Sequence, residues 1–221
     1  MAERAIVSWS GGKDSALALY EILRSGKLKI EALLATITED YGRVTLHGVR
    51  EALVEKQAEA LGLRLEKVFI PKECPNEEYE ARMLNVLTKY FEDGVSFVVF
   101  GDIFLEDVRR YREENLSRIG MKGIFPLWGK NTRELAWKFI GLGFKAIVTC
   151  VDSKALDKSF IGRIFDEKFL ADLPVNVDPC GENGEFHSFV FDGPIFRRPV
   201  DFRVGETVLR GNYYFCDLIP S

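Results

Sequence analysis

The chain has 221 residues, 47% hydrophobic and 29% charged, enough to bury one large core or two smaller ones. A formal net charge of -4 argues against a dedicated nucleic-acid binder, and no apolar stretch is long enough to span a bilayer. The N-terminus enters its first apolar run without signal-peptide regions, and Cys74, Cys150, Cys180 and Cys216 form no CxxC pair, so a cytoplasmic protein with reduced thiols, no stable nucleic acid and no membrane association is expected.

Ala5 to Trp9 reads as a buried strand and Ala16 to Arg24 as a helix. Between them, Ser10-Gly11-Gly12-Lys13-Asp14-Ser15 reads as a phosphate grip. Adjacent glycines let backbone N–H groups converge on an oxyanion, and the helix start adds its positive end. A Walker loop would need glycine at Val7 and Ser or Thr at Asp14, and three spaced glycines of a dinucleotide fingerprint are missing. Trp9 reads as core or as a wall of the nucleotide pocket.

Ala32 to Thr38 is a second expected strand, Val49 to Leu61 a helix, and Leu65 to Ile70 a third strand stopped by Pro71. His47, before Gly48, reads as an exposed loop imidazole. Asn76 is expected to cap a helix with Tyr79, Met83, Leu87 and Phe91 along one side, closed by Gly94. Val95 to Phe100 is apolar without alternation, as suits a central parallel strand, and ends at Gly101-Asp102. Arg109-Arg110-Tyr111-Arg112 reads as a solvated helix face paired with Glu113 and Glu114. The alternation predicts an α/β fold, a parallel sheet with helices on both faces. Ligands of such sheets sit beyond the carboxyl ends of the strands, so Ser10, Thr36, Thr38, Gly101 and Asp102 should share one edge.

Ile124 to Trp128 reads as a last strand or a crossing into a second unit, which places domains at 1–125 and 126–221. Asn131 with Glu134 predicts a capping box, Lys145 to Val151 a strand, and Lys158 to Leu173 helical pattern. From Phe186 onward, aromatic and β-branched runs between glycine turns predict antiparallel strands, hence a smaller C-terminal α+β domain. Ahead of them, Asp178-Pro179-Cys180-Gly181-Glu182-Asn183-Gly184-Glu185-Phe186-His187-Ser188 concentrates ionisable groups. A strand beginning at Glu185 would put Glu185 and His187 on one face, able to move a proton or hold a cation. An Asn-Gly turn flanked by solvated acids accounts for the same residues.

The Ser10–Ser15 string resembles the PP-loop, SGGxDS, of the ATP pyrophosphatase superfamily. With Asp178-Pro179-Cys180 ahead of Gly181–Ser188, and with Pro126-Leu127-Trp128, the chain is similar over nearly its whole length to the N-type branch that includes the diphthine–ammonia ligase family. The resemblance implies a PP-loop Rossmann-like (adenine nucleotide alpha hydrolase-like) fold. It also implies ATP as substrate with Mg²⁺, elongation factor 2 bearing diphthine as acceptor, ammonium as nitrogen donor, and an acyl-adenylate released as AMP and pyrophosphate. Nothing in the chain looks like a glutaminase.

Carried onto this sequence, Ser10, Gly11, Gly12, Lys13, Asp14, Ser15, Thr36, Gly101 and Asp102 would hold nucleotide, with Thr38 beside Thr36. Lys13, Asp14, Glu182 and Glu185 would be catalytic, and Asp14 and Asp102 would hold the metal. Asp14 reads equally as a loop brace, and Asp102 as a strand-end turn residue. Diphthine carries a trimethylammonium group, so Asp178, Glu182, Glu185, Phe186 and His187 would bind it through carboxylates and an aromatic face. On that basis Glu185→Gln should weaken amidation more than ATP binding. A PP-loop enzyme adenylating a small carboxylate or a tRNA base, and a non-catalytic nucleotide-binding protein, are the alternatives. A homo-oligomer is compatible with the sequence.

Overall fold

In the computed structural model, which describes residues 3–221, two sheets share one core. The first sheet is built from β1 (Glu3–Ser8), β2 (Leu28–Thr38), β3 (Arg43–Val44), β4 (Arg64–Ile70), β5 (Phe97–Val99) and β6 (Lys122–Ile124). All pairings are parallel except that of β3, and β1 lies between β2 and β5. Side chains alternate across it. Ala5 and Val7 enter one apolar cluster and Ile6 the other, as do Leu33 and Ala35 against Ala32 and Leu34. Both faces are therefore covered, as the unbroken apolar runs predict: α3 (Asn76–Glu92) and α4 (Glu106–Ser117) on one, α1 (Lys13–Ser25) and α2 (Glu51–Leu61) on the other.

The second sheet is antiparallel, in the order β8 (Phe186–Asp192), β7 (Lys145–Asp152), β10 (Tyr213–Pro220), β9 (Phe202–Arg210). Helices α5 (Thr132–Gly141) and α6 (Glu167–Asp172) accompany it. Phe139, Phe165, Phe169, Phe186 and Phe189 are fully buried and belong to the same apolar cluster as Trp9, Leu17 and Leu53. One core thus bridges the two sheets, which fixes the second sheet relative to the carboxyl ends of the first.

Some local expectations change. Asn76 is the first residue of α3 rather than its cap; the cap position is Pro75, with no side-chain hydrogen bond. Residues 124–128 split between the end of β6 and a turn, so the expected last strand closes the parallel sheet. The helical pattern from Lys158 breaks into one 3-10 turn, Lys158–Phe160, and α6. Asn131 does cap α5, its side chain accepting from the Glu134 N–H at 3.1 Å, which is one half of the expected capping box. Among the described residues no helix is long and apolar enough to cross a membrane.

The small strand β3 positions part of the site. Ile37 and Thr38 pair with β4 on one edge of β2, so their pairing with Val44 and Arg43 must use the edge that β1 occupies lower down. The hairpin therefore continues the sheet past the end of β1 and carries residues 46–48 over the loop that follows.

Candidate functional site

β1 ends at Ser8, and α1 begins at Lys13 with Gly12 in the cap position. Gly11 takes φ of 77°, which favours glycine, and a Cβ there would lie 2.7 Å from Gln57 Oε1. The loop is fastened from behind by Gln57, which has no exposed surface. Its Nε2 donates to the Gly11 carbonyl at 3.0 Å and to the Val190 carbonyl at 2.6 Å, and its Oε1 accepts from Trp9 Nε1 at 2.9 Å. Val190 N–H donates to the Gly11 carbonyl at 2.9 Å, which ties the loop to β8. Trp9 is thus core, and Gln57 is a supporting residue that sequence reading overlooked.

In front, the polar groups are loosely satisfied. Gly12 N–H donates to Ser10 Oγ at 3.2 Å, Ser10 and Ser15 hydroxyls lie 3.2 Å apart, and Lys13 N–H donates to Ser188 Oγ at 3.2 Å. The leading N–H groups of a helix have no intrahelical acceptor, so with these weak contacts the loop can exchange its partners for an anion.

Lys13 is only 4% exposed. Its Nζ donates to Asp14 Oδ2 at 2.8 Å and to the Cys180 carbonyl, and lies 5.2 Å from the Phe186 ring centroid. Burial opposes its charge, but Asp14 beside it, together with Cys180 and Glu182, outweighs this and holds the ammonium pKa above its ordinary value. The same burial works against the Asp14 carboxylate and raises its pKa, with Lys13 opposing. Asp14 therefore braces Lys13, and Lys13 joins the loop to the Asp178–Ser188 segment.

That segment is a tightly bonded turn. Asp178 Oδ2 accepts from the N–H groups of Cys180 and Glu182, each at 3.0 Å. Glu185 is 8% exposed; its Oε1 accepts from Asp178 N–H at 3.1 Å and Asn183 Nδ2 at 3.0 Å, and its Oε2 from Asn183 N–H at 3.0 Å. The strand begins at Phe186, not Glu185. Glu185 and Asp178 consequently face the turn, and the expected pairing of Glu185 with His187 on one face is not formed. Phe186 lines the cleft but lies beneath Lys13, already occupied by a cation.

Glu182 does reach the cleft. Its Oε1 accepts from Ile103 N–H at 2.7 Å, and its carboxyl is pushed up to about 7, chiefly by burial, with the Asp14 and Asp102 charges adding and the Ile103 amide opposing. Asp102 stands opposite, its Oδ2 2.7 Å from Arg112 Nε, and the guanidinium of Arg112 stacks 4.5 Å from the Phe100 ring centroid. Arg112 is therefore a cleft residue rather than part of a solvated face, whereas Arg109 does pair with Glu113 at 2.9 Å. Gly101 is needed for close approach: a Cβ would sit 2.8 Å from the Asp14 carbonyl carbon.

His47 is the largest departure from expectation. Carried by the hairpin, its ring lies against that of His187 with centroids 4.4 Å apart and planes tilted by 37°, and its Cε1 lies 3.1 Å from where a Gly12 Cβ would be. Thr149 Oγ1 of β7 donates to the His47 carbonyl at 3.3 Å. Burial first, then His187 and Lys13, push the His47 pKa well below its ordinary value, and burial with Lys13 lowers His187 to about 4.

Together these residues enclose a cleft of about 270 Å³, lined by Ser10, Gly12, Lys13, Asp14, Ser15, His47, Gly101, Asp102, Glu182 and His187 among others. It adjoins a larger hollow of about 700 Å³ through Val108 and Arg112, and Thr38 lines that hollow. Thr36 lines neither; its carbonyl accepts from Thr45 N–H at 3.1 Å.

Residues 3–123 match the family model described as the diphthamide synthase N-terminal domain, and residues 131–218 match its C-terminal domain. The chain is similar to the diphthine–ammonia ligase of Danio rerio, 29% identical over 232 residues, covering 94% of this chain and 89% of that protein. It is also similar to the diphthine–ammonia ligase of Homo sapiens, 27% identical over 224 residues, covering 90% of this chain and 83% of that protein.

Proposed function

Because the chain belongs to the diphthamide synthase family, we propose that it is a diphthine–ammonia ligase, an ATP-dependent enzyme that amidates diphthine on elongation factor 2. The observation that carries this reading is that the Ser10–Ser15 loop and the Gly181–Ser188 segment, far apart in sequence, line one cleft.

ATP enters with its β- and γ-phosphates on the loop. The Gly12 amide, the Ser10 and Ser15 hydroxyls and the first turn of α1 meet the charge that grows on departing pyrophosphate, and Lys13 adds a fixed positive charge behind them. The adjoining hollow, with Thr38, receives the adenosine half. A diphthine carboxylate oxygen bonds to the α-phosphorus, pyrophosphate leaves, and the acyl-adenylate is held between the loop and Glu182.

Magnesium fits the donor set. Asp14 and Asp102 offer hard oxygens on the wall of the cleft that Glu182 also lines. No group of three or more His, Cys, Asp or Glu is arranged as a metal site among the described residues. One or two carboxylates together with nucleotide phosphates is the mode such a set suits. When bound, the ion would draw negative charge off the phosphates.

Glu182 holds ammonium in the cleft and takes its first proton, a task matched to a carboxyl near pH 7. Asp178 and Glu185 act through the turn that aims Glu182. On this reading the protein works in the cytoplasm, where a translation factor would meet it. Incubation with ATP, ammonium and diphthine-bearing elongation factor 2 should give AMP and pyrophosphate with conversion of the acceptor carboxyl to an amide by mass. AMP without that mass change would remove the acceptor from the proposal.

A further inference from the structure

Ammonium loses two protons on becoming the amide nitrogen, and Glu182 accounts for one. The chain has two histidines, 47 and 187, one on the β3 hairpin and one on β8 of the other sheet. The fold brings their rings together, centroids 4.4 Å apart and planes tilted by 37°, on the wall of the phosphate cleft beside Gly12. His47 Nδ1 is buried without a hydrogen-bond partner. A buried nitrogen left without a protein partner is costly in a native structure and calls for a water, a ligand or a proton-transfer task.

We infer that the His47–His187 pair accepts the second proton, the one released when nitrogen bonds to the acyl-adenylate. The inference rests on the ligase reading above. The nitrogen lone pair forms the C–N bond, and the C–O bond to the phosphate breaks with its electron pair leaving on AMP. The proton on nitrogen passes to an unprotonated imidazole.

The surroundings suit that task. Burial and Lys13 keep both rings neutral before nucleotide binds, with His187 adding to the effect on His47, so a lone pair is free to take a proton. The Ser188 backbone carbonyl beside the ring, an acceptor for its N–H, favours the protonated form of His47 weakly. Lys13 and Arg112 are the cations lining the cleft, and Asp14, Asp102 and Glu182 its anions. Departing AMP adds phosphate charge, so the imidazolium gains an anionic neighbour at the moment it forms.

Two measurements test it. With histidine ring carbons labelled, the wild-type protein gives two ring signals, which His47→Gln and His187→Gln assign. Adding AMP should raise the titration midpoint of at least one ring by about one unit or more; midpoints unmoved by AMP overturn the inference. In the second, ATP–pyrophosphate exchange with the diphthine-bearing acceptor is compared with amide formation. In both variants amide formation should fall about 100-fold or more while exchange falls by only a few-fold, and the residual amide rate should climb with pH as hydroxide replaces the lost base. Parallel loss of both, or no loss of amide formation, overturns the inference and leaves the ligase standing. Wild-type protein that shows neither reaction with this acceptor overturns both.

Discussion

At the scale of single residues, the cleft is shaped by side chains whose chemistry is set by contacts remote in sequence. Glu182 is the sharpest case, since its carboxyl near pH 7 comes from burial and from Asp14 and Asp102, none of it local. Its base form is the ionised one, which fills as pH rises through about 7. At constant ammonium, amide formation should therefore rise with pH up to about 7 and then level, and Glu182→Gln should lose this limb with a drop of about 100-fold. Gly101→Ala tests the close approach of β5 to α1. A methyl group 2.8 Å from the Asp14 backbone must displace one or the other, so denaturant melts should show a loss of about 1–3 kcal/mol with weaker ATP binding. The Ser10–Ser15 string could be read directly because its backbone demand is local. His47 and Arg112 could not. An imidazole before a glycine and an arginine among acids carry no local sign that a hairpin and a helix will swing them onto a phosphate cleft.

At the scale of elements, the Asp178–Ser188 turn acts as a jig for Glu182 and His187. Glu185 accepts three hydrogen bonds inside it. Glu185→Gln replaces an acceptor oxygen with a donor that faces other donors, which should cost about 1–3 kcal/mol in denaturant melts. Exchange and amidation should then fall together, in contrast to the selective loss expected from sequence. Selective loss of amidation would return Glu185 to the acceptor. The turn's density of ionisable groups was visible, but the strand starts one residue later than expected, which leaves Glu185 in the turn with its carboxylate bonded to Asp178 and Asn183. The parallel strands were legible because burial on both faces leaves unbroken apolar runs. The two-residue β3 was not, since it is held by edge pairing and by docking: Gly48, with φ of 69°, packs on Phe215 of β10.

At the scale of the molecule, the second sheet is latched to the first outside the apolar core as well. Asp217 of β10 accepts from Arg43 at 2.8 Å and from Arg50 at 2.9 and 2.6 Å, and the Arg50 bonds hold its carboxyl down to about 2, with Arg43 adding and burial opposing. A carboxylate lowered in the fold stabilises above its unfolded pKa of about 4, and that contribution drains away as pH falls toward about 2. Asp217→Asn should cost about 2 kcal/mol near neutral pH, and the gap to wild type should close across that acid window. A gap that does not change with pH would show that the latch works by packing.

The account as a whole turns on where ATP breaks. With ATP labelled separately at the α- and γ-phosphates, and with acceptor and ammonium present, the α label should emerge only in AMP and the γ label only in pyrophosphate. Labelled ADP with free phosphate would contradict it.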